Sequence, residues 1–249
     1  MNPEITSANG RLELKHGLES GVIVFDRQSI ANPDISLFEA ATFGTAASLI
    51  SDKGGRGAAW FVKAEFGDAV LRHYRRGGWA ALISDARYLW RDESSARSIH
   101  EFHFMQALCE KNLPVPKPIA AMVLKKGLFY RAAILLERVP NVQSFLECVH
   151  QQTESAPWTA LGRTIAAFHK AGAQHADLNA QNILLDSDQK IWLIDWDKAQ
   201  FQSKAGPWCV NVLQRLQRSL IKYRGEVGEE TMLAGMQILR VAHDTEMER

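Results

Sequence analysis

Two short apolar segments late in the chain limit the possible folds of this sequence more than any other feature, because polar residues lie directly before or after each of them. The first, Ile183–Leu185, follows the polar stretch HADLNAQN, and the second, Ile191–Ile194, leads directly into Asp195. Short apolar runs bounded by polar turn residues predict strands. The sequence therefore predicts two strands joined by a turn, with Asp177 and Asn182 before the first strand and Asp195 after the second.

This arrangement resembles the catalytic loop of protein kinases, H-R-D-L-x-x-x-N, followed by the aspartate that opens their D-F-G motif. Asn182 lies five positions after Asp177, and Asp195 lies 13 positions after Asn182. Phosphoryl transfer needs a positioned nucleophile and cations on the phosphates. We expect Asp177 to orient or deprotonate the attacking hydroxyl, and Asn182 and Asp195 to bind Mg²⁺ on ATP. Each residue alone would be an ordinary loop residue, but the two spacings together favour a kinase.

A glycine-rich segment precedes the predicted strand AAWFVKAEF. Gly55, Arg56 and Gly57 in GGRGAAWFV match the kinase pattern G-x-G-x-x-G only in part. Backbone N–H groups of such a loop can cover phosphates. The alternative is a plain flexible hairpin tip, so the place of this loop in the chain is what favours ATP binding.

A cation for the ATP phosphates is expected on the following strands. Arg72 in Ala69-Val-Leu-Arg72 takes the place of the lysine in the kinase V-A-I-K motif, and Lys63 on the preceding strand is the rival. An arginine keeps the charge but has a larger planar group. Glu101, in the predicted helix IHEFHFM, is the expected ion-pair partner of this cation; the alternative is a solvated helix acid.

The strand ILLERV leads from the first half of the chain into the second. Kinases present backbone groups to adenine at this point, so we expect ATP contacts from Glu137 to Val139, made by the backbone. The side chain of Glu137 need not take part.

The order of the predicted elements indicates an α+β, bilobal protein-kinase-like fold. A strand-rich N-terminal lobe with one main helix (residues 1–139, an N-terminal segment and the ATP-binding lobe) precedes a mostly helical catalytic lobe (residues 140–249), with a cleft between them. Residues 1 to about 20 are expected to be irregular. Strands are predicted at 21–25, 58–66, 69–74 (after a turn at Gly67 and Asp68), 119–127 and 128–139, and helices at 38–50, 94–111, 157–171 and from about 210 onward.

Charge and cysteine content exclude several classes of protein. The net charge is +1, with 29 basic and 28 acidic residues, which argues against a general nucleic-acid binder. Cys109, Cys148 and Cys209 are far apart and match no metal-site spacing, as expected for reduced thiols in the cytoplasm. The chain begins without a signal-peptide pattern and contains no apolar run long enough to span a membrane. We expect a soluble protein or one on a membrane surface.

Several longer runs narrow the resemblance. GRGAAWFV, VLRHYRRGGW, GLFYRAAILLERV, HADLNAQNILLD and IDWDKAQ resemble the 3-deoxy-D-manno-octulosonic acid (Kdo) kinase family, and the likeness extends from about Val22 to Leu220. The resemblance implies ATP- and Mg²⁺-dependent phosphorylation of the 4-hydroxyl of a Kdo residue on a lipid A precursor (Kdo-lipid IVA). It also implies a peripheral protein on the cytoplasmic side of the bacterial inner membrane, with an anionic inner-leaflet surface as partner and no obligate protein partner.

Three other functions stay open on the sequence alone. The first is an inner-core heptose kinase of the same fold, and the second is a protein kinase. The third is a catalytically silent scaffold (pseudokinase) at the membrane surface, against which the intact Asp177, Asn182 and Asp195 argue.

Two arginines are candidates for contact with an anionic acceptor. Arg75 and Arg76 precede Gly77-Gly78, although charge runs are more often solvated surface.

Ala176 replaces the arginine that follows the histidine in the kinase catalytic loop. We therefore expect no control by a phosphorylated activation loop.

Overall fold

The computed structural model describes residues 9–51, 59–74, 88–151 and 156–249. The chain divides into two compact units. The first comprises Met1–Gln106 and Lys117–Arg138, and the second comprises Ala107–Pro116 and Val139–Arg249. The second unit therefore includes a short stretch from the first half of the chain.

An antiparallel sheet forms the first unit. Its strands lie in the order β1-β2-β7-β8-β5-β4-β3, and β6 pairs with β8. The central strands β2, β7 and β8 are buried along most of their length, which explains why they read as continuous apolar runs. The strands are β1 (Asn9–His16), β2 (Glu19–Asp26), β3 (Ala47–Ser51), β4 (Ala59–Ala64), β5 (Gly67–His73), β6 (Tyr88–Leu89), β7 (Pro118–Lys126) and β8 (Phe129–Glu137).

The core of this unit lies on one face of the sheet. Alternate residues of neighbouring strands, such as Ile23, Leu71, Met122 and Leu135, pack there around Phe38. Side chains two positions apart in a strand share a face, so this period-2 pattern selects which residues form the core.

The predicted hairpin of β4 and β5 is confirmed, with a different turn. Ala64 pairs with Gly67 in the ladder, so Glu65 and Phe66 form the turn, and the turn predicted at Gly67 and Asp68 is wrong by two residues. Gly67 has φ +105°, a backbone conformation that favours glycine. It therefore opens β5 rather than forming the turn.

Two predictions for the first unit are wrong. Residues before Gly21 were expected to be irregular, but strand β1 pairs along its whole length with β2. The helix predicted over 38–50 is replaced by 3₁₀ turns at Ile35–Phe38 and Ala40–Ala46 and by strand β3. Gly44, at φ 51° and ψ −124°, interrupts the helical backbone, and the segment after it gains ladder hydrogen bonds with β4 instead.

Helix α1 (Arg97–Glu110) confirms the helix predicted over 94–111. Ile99, Phe102 and Met105, three positions apart, are buried on it. The helix ends before Asn112, which has φ 56°, and the prolines that follow cannot continue it.

The second unit is mostly helical. The strand pair of β11 and β12 is confirmed, as is the helix that ends before Gly172, which has φ +75°. Helix α2 and the short strand β9 were not predicted. The elements are β9 (Gln143–Ser144), α2 (Phe145–Gln151), α3 (Trp158–Lys170), β10 (Ala173–Gln174), β11 (Ile183–Leu185), β12 (Ile191–Leu193), β13 (Gln200–Phe201), α4 (Pro207–Lys222) and α5 (Glu229–Glu248).

Glycines allow helices α3 and α5 to pack closely. A Cβ atom on Gly162 would lie 2.3 Å from the carbonyl oxygen of Leu239, and one on Gly235 would lie 2.2 Å from Cε2 of Trp158. Real Cβ atoms do not approach other atoms this closely, so both positions require glycine. Within the described ranges, no helix is both long and apolar enough to cross a membrane.

Candidate active site

The loop that carries Asp177 is held by its own side chains. The carbonyl oxygen of Asp177 accepts hydrogen bonds from Nδ2 of Asn179 (3.1 Å) and from Nδ2 of Asn182 (3.0 Å). Asn179 also caps the 3₁₀ turn Ala180–Asn182 by accepting the N–H of Gln181 at 2.9 Å. Helix α4 adds a bond from outside the loop, since the N–H of Ala180 donates to Oγ of Ser219 at 3.0 Å. The position of Asp177 is therefore set by at least three polar side chains.

His175 is a buried hydrogen-bonding residue. Its Nδ1 accepts the backbone N–H of Asp177 (3.1 Å), so its Nε2 carries the proton and donates to the carbonyl oxygen of Ile194 (3.0 Å). Burial lowers the pKa of His175. A neutral ring with both nitrogens engaged does not act as a base here; it joins the loop of Asp177 to the segment before Asp195.

Asn182 presents an oxygen for a cation. Its side chain is buried, and its Nδ2 must be the atom facing the carbonyl oxygen of Asp177, because a carbonyl can only accept a hydrogen bond. Its backbone carbonyl accepts the N–H of Ile194 at 3.0 Å. Among the described residues nothing donates a hydrogen bond to Oδ1 of Asn182, so this neutral oxygen is available as a metal ligand.

Asp195 follows strand β12 with a left-handed backbone, φ 64°. Aspartate tolerates this conformation better than most residues. The next residue, Trp196, is fully buried: its ring packs against that of Phe168 in a tilted arrangement, and its Nε1 donates to the carbonyl oxygen of Leu193 at 3.0 Å. A buried anchor directly after Asp195 holds the turn in place.

The oxygens of Asn182 and Asp195 are the hard donors that Mg²⁺ prefers, and Mg²⁺ keeps waters and phosphate oxygens on its remaining positions. The described residues contain no group of three or more His, Cys, Asp or Glu side chains placed to hold a metal ion. A site completed by phosphate oxygens does not need such a group. The donor set therefore fits Mg²⁺ bound together with a nucleotide.

Arg215 on helix α4 binds the side chain of Asp177 directly. Its Nε donates to Oδ1 of Asp177 at 2.7 Å, and its Nη2 donates to the same oxygen. Both side chains are partly exposed. Two donors on one carboxylate oxygen restrict rotation of the carboxylate, so Arg215 orients Asp177.

A second polar cluster lies in the first unit and contains Arg72, Tyr74 and Glu101. Oε2 of Glu101 accepts hydrogen bonds from Nη2 of Arg72 and from the hydroxyl of Tyr74, and Arg72 also donates to that hydroxyl oxygen at 3.2 Å. The side chain of Glu101 is fully buried. The predicted ion pair of Arg72 and Glu101 is thus present, and its part in ATP binding stays a prediction.

Tyr74 stays protonated in this cluster. Burial, and then the charge of Glu101, raise the pKa of Tyr74 well above its usual value of 10. The other oxygen of Glu101, Oε1, is buried and has no hydrogen-bond partner within the described part of the chain. Such an unsatisfied buried carboxylate oxygen is rare in a purely structural core, which supports a functional role for the cluster.

The rival cation, Lys63, lies on strand β4 with its side chain 70% exposed, and its Nζ is 3.9 Å from Oδ1 of Asp68. Arg72 is mostly buried and Lys63 points to solvent. The geometry therefore favours Arg72 as the cation that is held in a fixed position.

The backbone after strand β8 is only partly available to a nucleotide. The N–H of Glu137 donates to the carbonyl oxygen of Lys117 (2.8 Å), and the N–H of Arg138 donates to that of Asp68 (2.9 Å). Within the described residues the backbone of Val139 makes no hydrogen bond. Among the three residues from Glu137 to Val139, where ATP contacts are predicted, Val139 is therefore the one whose N–H group has no partner in the described part of the chain.

Five of the predicted site residues lie outside the described residues: Gly55, Arg56, Gly57, Arg75 and Arg76. Their roles stay predictions.

Sequence reasoning missed the roles of Tyr74 and Arg215. Tyr74 is two positions after Arg72, so the period-2 pattern of a strand places both on one face. This spacing is the sequence signal from which the contact between Tyr74 and Arg72 could be predicted. Arg215 lies on helix α4 and belongs to no sequence motif. No sequence spacing links it to Asp177, which lies 38 positions earlier.

Comparison with known proteins supplies a family. The model of the "Lipopolysaccharide kinase (Kdo/WaaP) family" matches residues 41–238. A protein of Stenotrophomonas maltophilia (strain K279a) named 3-deoxy-D-manno-octulosonic acid kinase is 47% identical over 230 residues, which cover 92% of each chain. A protein of the same name from Xanthomonas axonopodis pv. citri (strain 306) is 48% identical over 216 residues, which cover 87% of this chain and 86% of the relative.

Proposed function

Because this chain belongs to the lipopolysaccharide kinase (Kdo/WaaP) family, we propose that it is an ATP-dependent kinase that phosphorylates Kdo in lipopolysaccharide core biosynthesis. The acceptor we propose is the 4-hydroxyl of a Kdo residue on a lipid A precursor (Kdo-lipid IVA). The names of the relatives support Kdo as the acceptor sugar. The motif resemblance supports the 4-hydroxyl as the site of transfer and a lipid A precursor as the carrier of the sugar.

The observation that carries the proposal is the geometry around Asp177. A carboxylate that is to take a proton from a hydroxyl must be held in a fixed orientation and must remain reachable. Asp177 meets both conditions, because Arg215 and the two asparagines hold it while its side chain stays partly exposed.

The residues can be assigned to steps of an in-line transfer. Asp177 accepts the proton of the sugar hydroxyl while the oxygen of that hydroxyl forms the new bond to the γ-phosphorus of ATP. The bond from that phosphorus to the bridging oxygen breaks, and ADP leaves with the electron pair. Arg215 keeps the carboxylate of Asp177 turned toward the acceptor.

Asn182 and Asp195 are the residues we propose to hold Mg²⁺, which neutralises phosphate charge when it is bound. In the first unit we propose that Arg72, held by Glu101 and Tyr74, contacts the ATP phosphates. We propose that Gly55, Arg56 and Gly57 cover those phosphates from the glycine-rich loop.

The remaining contacts that we propose are with adenine, the acceptor and the membrane. The backbone from Glu137 to Val139 contacts adenine, and Arg75 and Arg76 contact the anionic acceptor. The mixed α/β architecture with an antiparallel sheet supports a bilobal protein-kinase-like fold. We also propose peripheral attachment to the cytoplasmic side of the inner membrane, as expected for an enzyme whose acceptor is linked to a lipid.

The test is transfer of labelled phosphate from ATP to Kdo-lipid IVA, with a heptosylated core acceptor in parallel. We expect transfer to the Kdo acceptor only, and phosphate at its 4-position by NMR of the product. Asp177→Asn should lower kcat by about 10²- to 10⁴-fold, the usual contribution of a general base. Asp188→Asn is the matched control, because Asp188 is an exposed turn residue between β11 and β12, and it should keep the wild-type rate.

Arg215→Lys keeps the charge but loses the two-donor geometry. We expect it to lower kcat by about tenfold, roughly the 1.4 kcal/mol of one moderate hydrogen bond, with little change in the KM for ATP. Transfer only to the heptose acceptor would overturn the proposed substrate. ATP binding without transfer to either acceptor would overturn the proposed enzyme activity.

A further inference from the structure

Two hairpin tips of the first unit share one four-residue pattern, Lys-x-Gly-Leu. It occurs as Lys15-His16-Gly17-Leu18 between β1 and β2, and as Lys125-Lys126-Gly127-Leu128 between β7 and β8. In both, the glycine has a positive φ (58° and 61°) and the leucine follows it as the second turn residue. Glycine at the first position of a two-residue turn is typical of type II′ hairpins. The chain therefore builds the same kind of tip twice.

The sheet register brings these two tips to the same end of their strands. Strand β2 pairs with β7, and Ser20 lies opposite Lys125. Ser20 also lies opposite Lys15 in the ladder with β1. Both turns extend beyond this shared row in the same direction, so Leu18 and Leu128 project from one end of the sheet.

Both leucines are exposed to an unusual degree. The exposed fraction is 87% for Leu18 and 72% for Leu128. Two further apolar side chains lie beside Leu128: Phe129 follows it in the chain and is 37% exposed, and Leu89 of β6 pairs with Phe129 and is 56% exposed. Polar residues and glycine usually fill hairpin turns. An apolar residue at both tips, continued by two more on the neighbouring strands, forms an exposed apolar patch that folding does not explain.

Leu18, Leu89, Leu128 and Phe129 form what we call the tip patch, and the two hairpin segments that carry Leu18, Leu128 and Phe129 are mainly positive in charge. The two hairpin segments, 15–20 and 125–131, carry four basic residues and one acidic residue, Glu19. Glu19 is paired with Arg131 at 2.9 Å, which leaves Lys15, Lys125 and Lys126 as the net charge. Lys125 lies along the ring of Trp90, with its Nζ 5.3 Å from the ring centroid. Long lysine stems can follow apolar surface while their ammonium groups stay in water.

We propose that the tip patch is a membrane-docking surface, which inserts its apolar side chains among the headgroups of an anionic bilayer while the three lysines bind lipid phosphates. Exposed leucines with a lysine margin fit an interface that is apolar inside and negatively charged at its surface. A water-soluble protein partner would need a complementary acidic groove, and a second copy of this chain would bring lysine against lysine. Charge complementarity therefore favours lipid. This inference deepens the proposed membrane attachment, but it rests on the sheet register, exposure and charge and not on the kinase activity.

The test uses sedimentation of the full chain with vesicles of phosphatidylethanolamine and phosphatidylglycerol, and with phosphatidylcholine vesicles for comparison. We expect binding to the anionic vesicles that weakens as salt is raised. The double variant Leu18→Ser, Leu128→Ser should lower the partition coefficient by about tenfold or more, from the lost apolar burial. Lys15→Gln with Lys126→Gln should lower it by roughly fivefold per lysine.

Leu49→Ser is the matched control. Leu49 is a leucine of comparable exposure, 57%, on β3 at the opposite edge of the sheet, and this variant should bind vesicles as the wild type does. Leu18→Trp provides a change in the other direction, because tryptophan favours the membrane interface, and it should strengthen binding. Far-UV circular dichroism of each variant checks that it is folded.

Two results would overturn the proposal. The first is absence of wild-type binding to anionic vesicles, or equal binding by the leucine double variant. The second is a wild-type dimer in solution that the double variant converts to a monomer, since the tips would then join two copies of the chain. Phosphotransfer to a detergent-dispersed acceptor is measured on the same samples. Transfer without vesicle binding refutes the docking surface alone, and vesicle binding without transfer refutes the proposed function alone.

Discussion

Acidification is expected to destabilise the second unit through one buried histidine, His169. Its side chain is 2% exposed and lies edge-on to Trp208. His243 donates from Nδ1 to Asp244 (2.8 Å), so Nε2 of His243 is an acceptor, and Nδ1 of His169 donates to it at 2.8 Å. The extra proton of a charged His169 would sit on Nε2 in this buried surrounding. Burial, and then the nearby His243, lower the pKa of His169 from 6.5 to about 3.

The sign and size of the effect follow from this shift. The unfolded chain binds a proton at His169 below its ordinary pKa of 6.5, whereas the folded chain stays neutral down to about 3. The stability contributed by the neutral ring is therefore complete above the unfolded value and is lost as the pH falls below it. The loss is about 1.4 kcal/mol per pH unit in that window. Between about pH 7 and about pH 5, His169 alone should cost about 2 kcal/mol.

The assay is urea unfolding at these two pH values, followed by far-UV circular dichroism, which is sensitive to the helices of this unit. His169→Asn keeps an N–H group for His243 but cannot be charged. We expect this variant to be less stable at neutral pH and to lose about 2 kcal/mol less than the wild type on acidification. His16→Asn, at an exposed histidine of strand β1, should lose as much as the wild type. Equal losses in His169→Asn and the wild type would refute the reasoning.

Two further predictions concern ATP binding and helix packing. Arg72→Met should raise the KM for ATP by about tenfold or more, which corresponds to the loss of one charge-assisted hydrogen bond. Lys63→Met should change this KM little. If steady-state kinetics show the larger increase in Lys63→Met, then Lys63 is the phosphate-binding cation. Gly235→Ala should lower the free energy of unfolding by about 1–3 kcal/mol through overpacking, because the new Cβ would overlap the buried ring of Trp158. Gly228→Ala is the matched control, because a Cβ at this N-cap position would lie at an ordinary van der Waals distance, 3.8 Å, from Oγ1 of Thr231. An unchanged urea midpoint in Gly235→Ala would contradict the packing argument.

Elements with strong local signals could be predicted from the sequence. The strand pair β11–β12 and helix α1 have apolar spacing and turn residues that agree with their surroundings. The same holds for the predicted neighbours of Asp177, because the hydrogen bonds that Asn179 and Asn182 make in this loop are to residues within five positions. Local signals are sufficient where the interactions themselves are local.

Elements that depend on distant partners could not be predicted in the same way. Strand β1 is mostly exposed and polar, and it is a strand because β2 offers a ladder of hydrogen bonds. The segment around Leu49 has a helical pattern of apolar residues, yet it pairs with β4. The bond from Arg215 to Asp177 depends on how helix α4 packs against the catalytic loop. Tertiary pairing overrides local preference in each case.

The left-handed backbone of Asp195 limits which residues can ever occupy this position. A β-branched or bulky side chain at φ 64° would pay a steric cost in addition to losing the carboxylate. Asparagine tolerates the same conformation, so a single-nucleotide change to asparagine would remove the charge and leave the turn intact. A relative can therefore carry asparagine at this position without strain in the turn. If Asp195 binds Mg²⁺ as proposed, a homologue with asparagine here would keep the turn but lack the charged metal ligand.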